Sequence, residues 1–169
     1  TLRHTLFPYT TLFRSALYYH FENKEDLFSE VITHYASHLG NRLRKAGECC
    51  GSSQERITKI AQTYMELMSN RRSLFFLLRH NMMDLNSNEN HVWMLEIYNM
   101  MFGSMEEIIQ NAIQSGELRE LPENYSGTTI LLGMLHGVGR YQRLQGKEKQ
   151  TPEDVKLIVD LFWNGIQKR

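Results

Sequence analysis

Proline is scarce, at three residues in 169. Its scarcity leaves long stretches free to be helical, and Pro122 and Pro152 stand where a helix is expected to begin. Cysteine is scarcer still. Cys49 and Cys50 are neighbours in a Gly-flanked stretch, which excludes the spaced framework of a secreted disulfide scaffold and leaves two reduced thiols in a loop. With no histidine or third cysteine close by in sequence, they make no metal motif. Net charge is absent: 19 Lys and Arg balance 19 Asp and Glu, so the sum neither points to nucleic acid nor excludes it. No apolar run reaches bilayer length and the N-terminus lacks a basic, apolar, small-residue signal pattern, so the expected compartment is the cytoplasm. Strand alternation is nearly missing, as is any repeat of solenoid length. No nucleophile and base pair, phosphate loop or zinc signature occurs, so no enzyme, cofactor or metal is expected. His34 and His38 are one turn apart with Glu30 a turn earlier, a spacing that can hold a metal, but they flank an apolar stripe and no metal is expected there.

What is present is helical periodicity. Apolar residues at 41% and charged residues at 22% suit a compact domain, or one domain with a small accessory piece. Leu27, Phe28, Val31, Ile32, Tyr35, Leu39 and Leu43 recur at three- and four-residue intervals, predicting a helix from Lys24 to about Ala46. Asn23 can cap it, and Glu25 and Asp26 occupy its first turn. After a loop at Gly47–Ser53, the residues Ile57, Ile60, Ala61, Tyr64, Leu67 and Met68 form a second stripe that ends near Asn70. Leu74–Leu78 reads as a short buried helix and Asn81–Asn90 as a polar connection. Trp93, Met94, Ile97, Tyr98, Met101, Met105, Ile108, Ile109 and Ala112 predict a long helix ending near Gly116. Two more follow, from about Glu123 to Leu144 and from about Thr151 to Lys168, the last opened by a capping threonine, a proline and two acids. The predicted fold class is all-α.

The segment Ala16–Phe28, ALYYHFENKEDLF, closely resembles the end of the recognition helix and the start of the fourth helix in tetracycline-repressor-type (TetR/AcrR) transcriptional regulators. AIQSGELRELPE (Ala112–Glu123) and ILLGMLHGVGRY (Ile130–Tyr141) resemble later segments of the same family. The resemblance implies a partial helix-turn-helix head over 16–46 and a ligand-binding and dimerisation domain over 47–169. It implies that Tyr18, Tyr19 and His20 contact the DNA backbone or groove edge and that Lys24 contacts a phosphate. Two aromatic hydroxyls and a histidine at the end of a helix can reach phosphate oxygens, holding the helix in register rather than reading bases. The structural alternative is that these aromatics are core residues beside an amphipathic helix.

In the family the last two helices pair with their symmetry mates, which implies a homodimer. Gly133 and Gly137 are four apart and share a helix face where another backbone can approach; Val155, Val159, Phe162 and Trp163 belong to a broad apolar face of the final helix. The other reading buries these faces within one chain. The family also senses small molecules in its central region, which here offers Phe75, Trp93, Tyr98, Met101, Met134 and His136 to an apolar ligand. The same residues also suit an ordinary core.

Thr1–Ser15 fits neither an amphipathic helix nor the turn before a recognition helix, because Pro8 interrupts an alternation of Thr, Leu and Phe. It resembles translated sequencing-adapter sequence and is expected to be non-native; the rival is a divergent arm. The positions just before Ala16, where base-reading residues are expected, hold Leu12, Phe13, Arg14 and Ser15. The expectation is therefore a regulator, a repressor released by its ligand, whose DNA binding is impaired in this chain. Two alternatives are a helical small-molecule sensor with no DNA role and, more remotely, an enzyme using the apolar pocket.

Overall fold

A computed structural model describes residues 19–49, 51–69, 88–147 and 149–168. Five helices are seen among them: α1 (Lys24–Gly47), α2 (Ser53–Ser69), α3 (Asn88–Gln114), α4 (Gly127–Leu144) and α5 (Pro152–Ile166). No strand is present among the described residues, and the one β-type pairing is an isolated antiparallel bridge between Leu118 and Gln167. The all-α class therefore holds. The expected helix at Leu74–Leu78 and most of the connection before Asn90 lie outside the described residues, although Asn88–Asn90 already belong to α3. The chain divides into two compact units, residues up to Tyr35 and residues from Ala36 onward, with the division inside α1.

Several helix ends are closed by local chemistry. Asn23 Oδ1 accepts from the Asp26 amide at 2.7 Å, and Asp26 Oδ2 accepts from the Glu22 amide at 3.2 Å, which fixes where α1 starts. Arg44 and Lys45 lie in the last turn of α1, opposite in sign to Glu25 and Asp26 in its first. Its last carbonyl is met by Arg56, whose Nε donates to Gly47 O at 2.7 Å. Ser52 and Glu55 form a box at the start of α2: the Glu55 carboxylate accepts the Ser52 amide at 2.8 Å, and Ser52 Oγ accepts the Glu55 amide at 3.3 Å. Gly116, at φ +80°, turns the chain out of α3.

The start of α4 differs from the sequence reading. Pro122 to Tyr125 form a turn, with Asn124 at φ 71°, and Ser126 caps a helix that begins at Gly127, not Glu123. A serine able to accept the Thr129 amide outcompetes a proline-led start, because the cap satisfies a backbone donor that Pro122 cannot help. At α5 the expected cap, proline and acids are found, Thr151 and Asp154 adding a reciprocal capping box, and the helix ends at Ile166 rather than near Lys168.

The core of the second unit forms where α2 packs on α3 and α5, and α4 packs on α3 and α5. Ile57, Ile60, Ala61 and Tyr64 of α2, Ile97, Met105 and Ile109 of α3, Leu131 and Leu135 of α4 and Val159 of α5 are buried. Burying each large aliphatic side chain contributes about 1.5–3 kcal/mol before the entropy of ordering is subtracted. Two glycines let α1 join this core closely. A β-carbon at Gly40 would lie 1.9 Å from the carbonyl oxygen of Met100, and one at Gly47 would lie 2.7 Å from Cδ1 of Ile60. Glycine within a helix costs about 1 kcal/mol relative to alanine, and at Gly40 the close backbone approach explains its presence.

Candidate functional site

The first candidate surface is the turn between a helical end at Tyr19–His20 and the start of α1. Tyr19 is 86% exposed, with its ring edge-on to that of His20 at a centroid separation of 5.2 Å. His20 and Lys24 are exposed as well, while Phe21, Leu27 and Phe28 are half-buried, so polar and apolar members of the segment separate. Tyr18 lies outside the described residues. The reciprocal bonds of Asn23, Asp26 and Glu22 set the turn that spaces His20 from Lys24. Lys24 occupies the first position of α1, where backbone amides and the helix dipole also favour an anion. The electrostatics oppose strong anion binding, however. Glu22, Glu25, Asp26 and Glu30 are exposed on the same short stretch, with Lys24 as its only formal cation between Tyr19 and Tyr35.

The second candidate site is an aromatic chain linking α2, α3 and α4. His136 Nε2 lies 2.8 Å from Tyr64 Oη, and the Tyr64 ring meets Phe102 edge-on at 5.4 Å. Phe102 meets Tyr98 at 5.2 Å, and Tyr98 Oη lies 2.9 Å from Thr129 Oγ1. Thus two of the expected ligand residues, Tyr98 and His136, are brought into one chain through Tyr64 and Phe102. Met101 is buried, Trp93, Tyr98 and Met134 are half-buried, and His136 is exposed; Phe75 lies outside the described residues. Tyr64 had been legible only as a core position of α2. Its phenol, fully buried yet paired with an exposed imidazole, is the feature that periodicity cannot reveal.

Below this chain α3 meets the start of α4. Glu106 Oε2 accepts from Ser126 Oγ at 2.7 Å, and its Oε1 accepts from Gln110 Nε2 at 3.0 Å. Burial pushes the Glu106 carboxyl up, but hydrogen bonds from the Gln110 and Ser126 side chains and the Thr128 backbone outweigh it and hold the group below the usual carboxylate range. This carboxylate is a structural cap rather than a free acid. No cluster of three or more His, Cys, Asp or Glu suited to a metal occurs among the described residues.

The third candidate surface is the pair of faces expected to meet a second copy. Val155, Val159, Phe162 and Trp163, expected at a dimer interface, are 0–6% exposed within the single chain. They pack inward because α5 lies on α2 and α4, which uses its strongest apolar face for the monomer core. The outward face of α5 carries Leu157 at 59% and Leu161 at 58% exposure instead. On α4, nothing among the described residues lies within 4 Å of a β-carbon built at Gly133 or Gly137, and Tyr141 and Leu144 are 61% and 80% exposed. Gly133, Gly137, Tyr141 and Leu144 share one side of α4 by helical spacing, so that face has no partner among the described residues.

No family model and no curated protein matches the sequence. Solved structures do resemble it. A TetR family transcription regulator from Marinobacter aquaeolei VT8 superimposes with a TM-score of 0.68 at 16% identity, covering 92% of this chain and 78% of that one. The TetR family transcriptional regulator PfmR from Thermus thermophilus gives 0.64 at 21% identity over 91% and 82%. A putative TetR family regulator from Shewanella sp. PV-4 gives 0.65 at 19% identity over 92% and 81%. The chain therefore has the fold found in TetR-family transcription regulators, as the segment Ala16–Phe28 implied.

Proposed function

We propose that the chain is a homodimeric, ligand-responsive transcription regulator that is not an enzyme, and that its own DNA binding is impaired. The observation that carries the reading is the exposed trio Tyr19, His20 and Lys24 around a locked turn at the head of α1, in a fold shared with transcription regulators. Such groups hold a helix against the phosphate backbone without reading sequence. The impairment follows from the acids around Lys24 and from Leu12 and Phe13 standing where polar base-reading side chains are expected. A small apolar ligand near Tyr98, Met101, Met134 and His136 would favour one arrangement of α1 over another and release the operator, making the parent protein a cytoplasmic repressor. The dimer would form through the outward faces of α4 and α5.

The genomic sequence upstream of Ala16 tests the reading. It is expected to encode two further helices ending in a pattern such as Thr/Ser-x-x-x-Ile-Ala-x-x-Ala-Gly-Val-Ser, and an upstream sequence without a helical head would overturn it. For the chain itself, nanomolar retention of a palindromic operator in moderate salt would overturn the impairment. The acid excess beside Lys24 favours one second reading, a helical small-molecule sensor with no DNA role. That reading expects no salt-dependent binding to duplex DNA under any condition.

A further inference from the structure

Where α4 ends and α5 begins, two side-chain amides are each only half satisfied. Gln150, in the connection before α5, lies against the α4 backbone, its Nε2 donating to Leu135 O at 3.2 Å. Gly139 admits it. A β-carbon there would lie 3.2–3.4 Å from Cδ, Oε1 and Nε2 of Gln150, tighter than an ordinary van der Waals contact. One turn further along α4, Gln142 Nε2 donates to Asp154 Oδ1 at 3.3 Å. Asp154 Oδ2 takes the amide of Thr151, the residue after Gln150, at 2.7 Å and also pairs with Lys147. The two glutamines therefore belong to one ring that runs from Gly139 through Gln142, Asp154, Thr151 and Gln150 back to α4.

Leu135 O and the ionised Asp154 carboxylate can only accept, so each glutamine must turn its nitrogen toward them. That fixes which end of each amide is oxygen. The two oxygens, Gln142 Oε1 and Gln150 Oε1, are sealed from solvent and meet no donor among the described residues. A buried carbonyl left without a donor is costly, so such atoms in folded proteins are met by a side chain, a water or an ion.

We infer that one buried water bridges Gln142 Oε1 and Gln150 Oε1. Two acceptors on neutral amides call for a neutral partner with two hydrogens to give, which a water supplies. A cation fits the ring poorly. Lys147 already brings a positive charge to its only carboxylate, and two amide oxygens fall well short of the six or more that hard cations gather. The water completes the tie between the last turn of α4 and the cap of α5. This site stands independently of the proposed DNA function.

Water-selective nuclear Overhauser spectra of the full chain, recorded in the laboratory and rotating frames, test the site. A held water gives cross-peaks of opposite sign in the two frames, whereas proton exchange gives the same sign. Cross-peaks of the first kind are expected at the side-chain amide protons of both Gln142 and Gln150. Their absence from the unmodified chain overturns the water. Gln142→Leu and Gln150→Leu are each expected to abolish the cross-peak at the glutamine that remains, because a shared water has then lost one of its two acceptors. Gln145→Leu, at an exposed neighbour, is expected to leave both. A cross-peak that survives at the remaining glutamine overturns the sharing; should a leucine variant fail to fold, the spectra of the unmodified chain decide alone. Replacing potassium chloride by choline chloride at equal ionic strength is expected to leave the unfolding midpoint unchanged. A lower midpoint in choline places an ion in the ring and overturns the water.

Discussion

The phenol of Tyr64 on α2 and the imidazole of His136 on α4 are hydrogen-bonded at 2.8 Å, although Tyr64 is wholly buried and His136 faces solvent. A buried hydroxyl that keeps its partner adds about 0.5–1.5 kcal/mol, while the ring itself contributes far more by filling space. Tyr64→Phe is therefore expected to lower unfolding free energy by about 1 kcal/mol, and Tyr64→Ala by about 3–5 kcal/mol. Urea unfolding followed by circular dichroism separates the two; equal losses would show that the ring packs loosely and the hydroxyl dominates.

Glycine substitutions should divide sharply. At Gly40 the added methyl meets a carbonyl that cannot move aside, so Gly40→Ala is expected to destabilise by about 1–3 kcal/mol despite alanine's better helix propensity. At Gly133 and Gly137 the same change meets open space, so it should stabilise the monomer by up to about 1 kcal/mol each. If these glycines lie at a dimer contact, the same variants weaken dimerisation in analytical ultracentrifugation.

This contrast marks what the sequence made legible. The α3 and α5 stripes, the Thr151 box and the Asn23 cap could be read from spacing alone, since each is local and depends on residues within one or two turns. Gly40 could not, because its meaning depends on Met100, sixty positions away in the chain and on another helix. The burial of Val155, Val159, Phe162 and Trp163 within the single chain was hidden for a related reason. An apolar face on α5 is visible in sequence, but whether α2 and α4 or a second chain covers it depends on packing. The face that remained open carries only Leu157 and Leu161 among charged and polar residues, too sparse a pattern to stand out.

The proposed dimer face yields a direct comparison. Leu161→Asp places a charge on a residue 58% exposed in the single chain and should change monomer stability by less than about 0.5 kcal/mol. It is expected to shift the protein to monomer at concentrations where the unmodified chain is dimeric. Phe162→Ala, one position on but 2% exposed, should instead cost about 3–5 kcal/mol of folding stability. Sedimentation showing a dimer unaffected by Leu161→Asp and Leu157→Asp would place the interface elsewhere.

For the head segment, residual duplex binding is expected to be weak and to fall steeply with salt. Lys24→Ala should reduce the slope of log affinity against log salt by about one, the signature of a single lost phosphate contact. Tyr19→Phe tests the hydroxyl while keeping the ring that sits edge-on to His20. Fluorescence anisotropy with a labelled duplex measures both, and an unchanged slope in the Lys24 variant would remove that residue from the contact set.

Acid should loosen the α4–α5 corner in a defined window. Lys147 pairs with Asp154, and that bond together with the Thr151 amide lowers the Asp154 carboxyl from 3.8 to about 2. Because the folded value lies below the unfolded one, the carboxylate favours folding most above pH 3.8, and its contribution is lost as pH falls toward about 2. Glu106, also held below its ordinary value of 4.5, acts in the same direction at the start of α4. Asp154→Ala removes the capping box and the ion pair together, so its cost should be largest near neutral pH and shrink as acid protonates the carboxylate of the unmodified chain. Unfolding curves for both proteins at pH 6, 4 and about 2.5 should therefore converge on acidification, in keeping with the lowered Asp154 value. Curves that stay a constant distance apart would mean that the aspartate acts through packing and not through its charge.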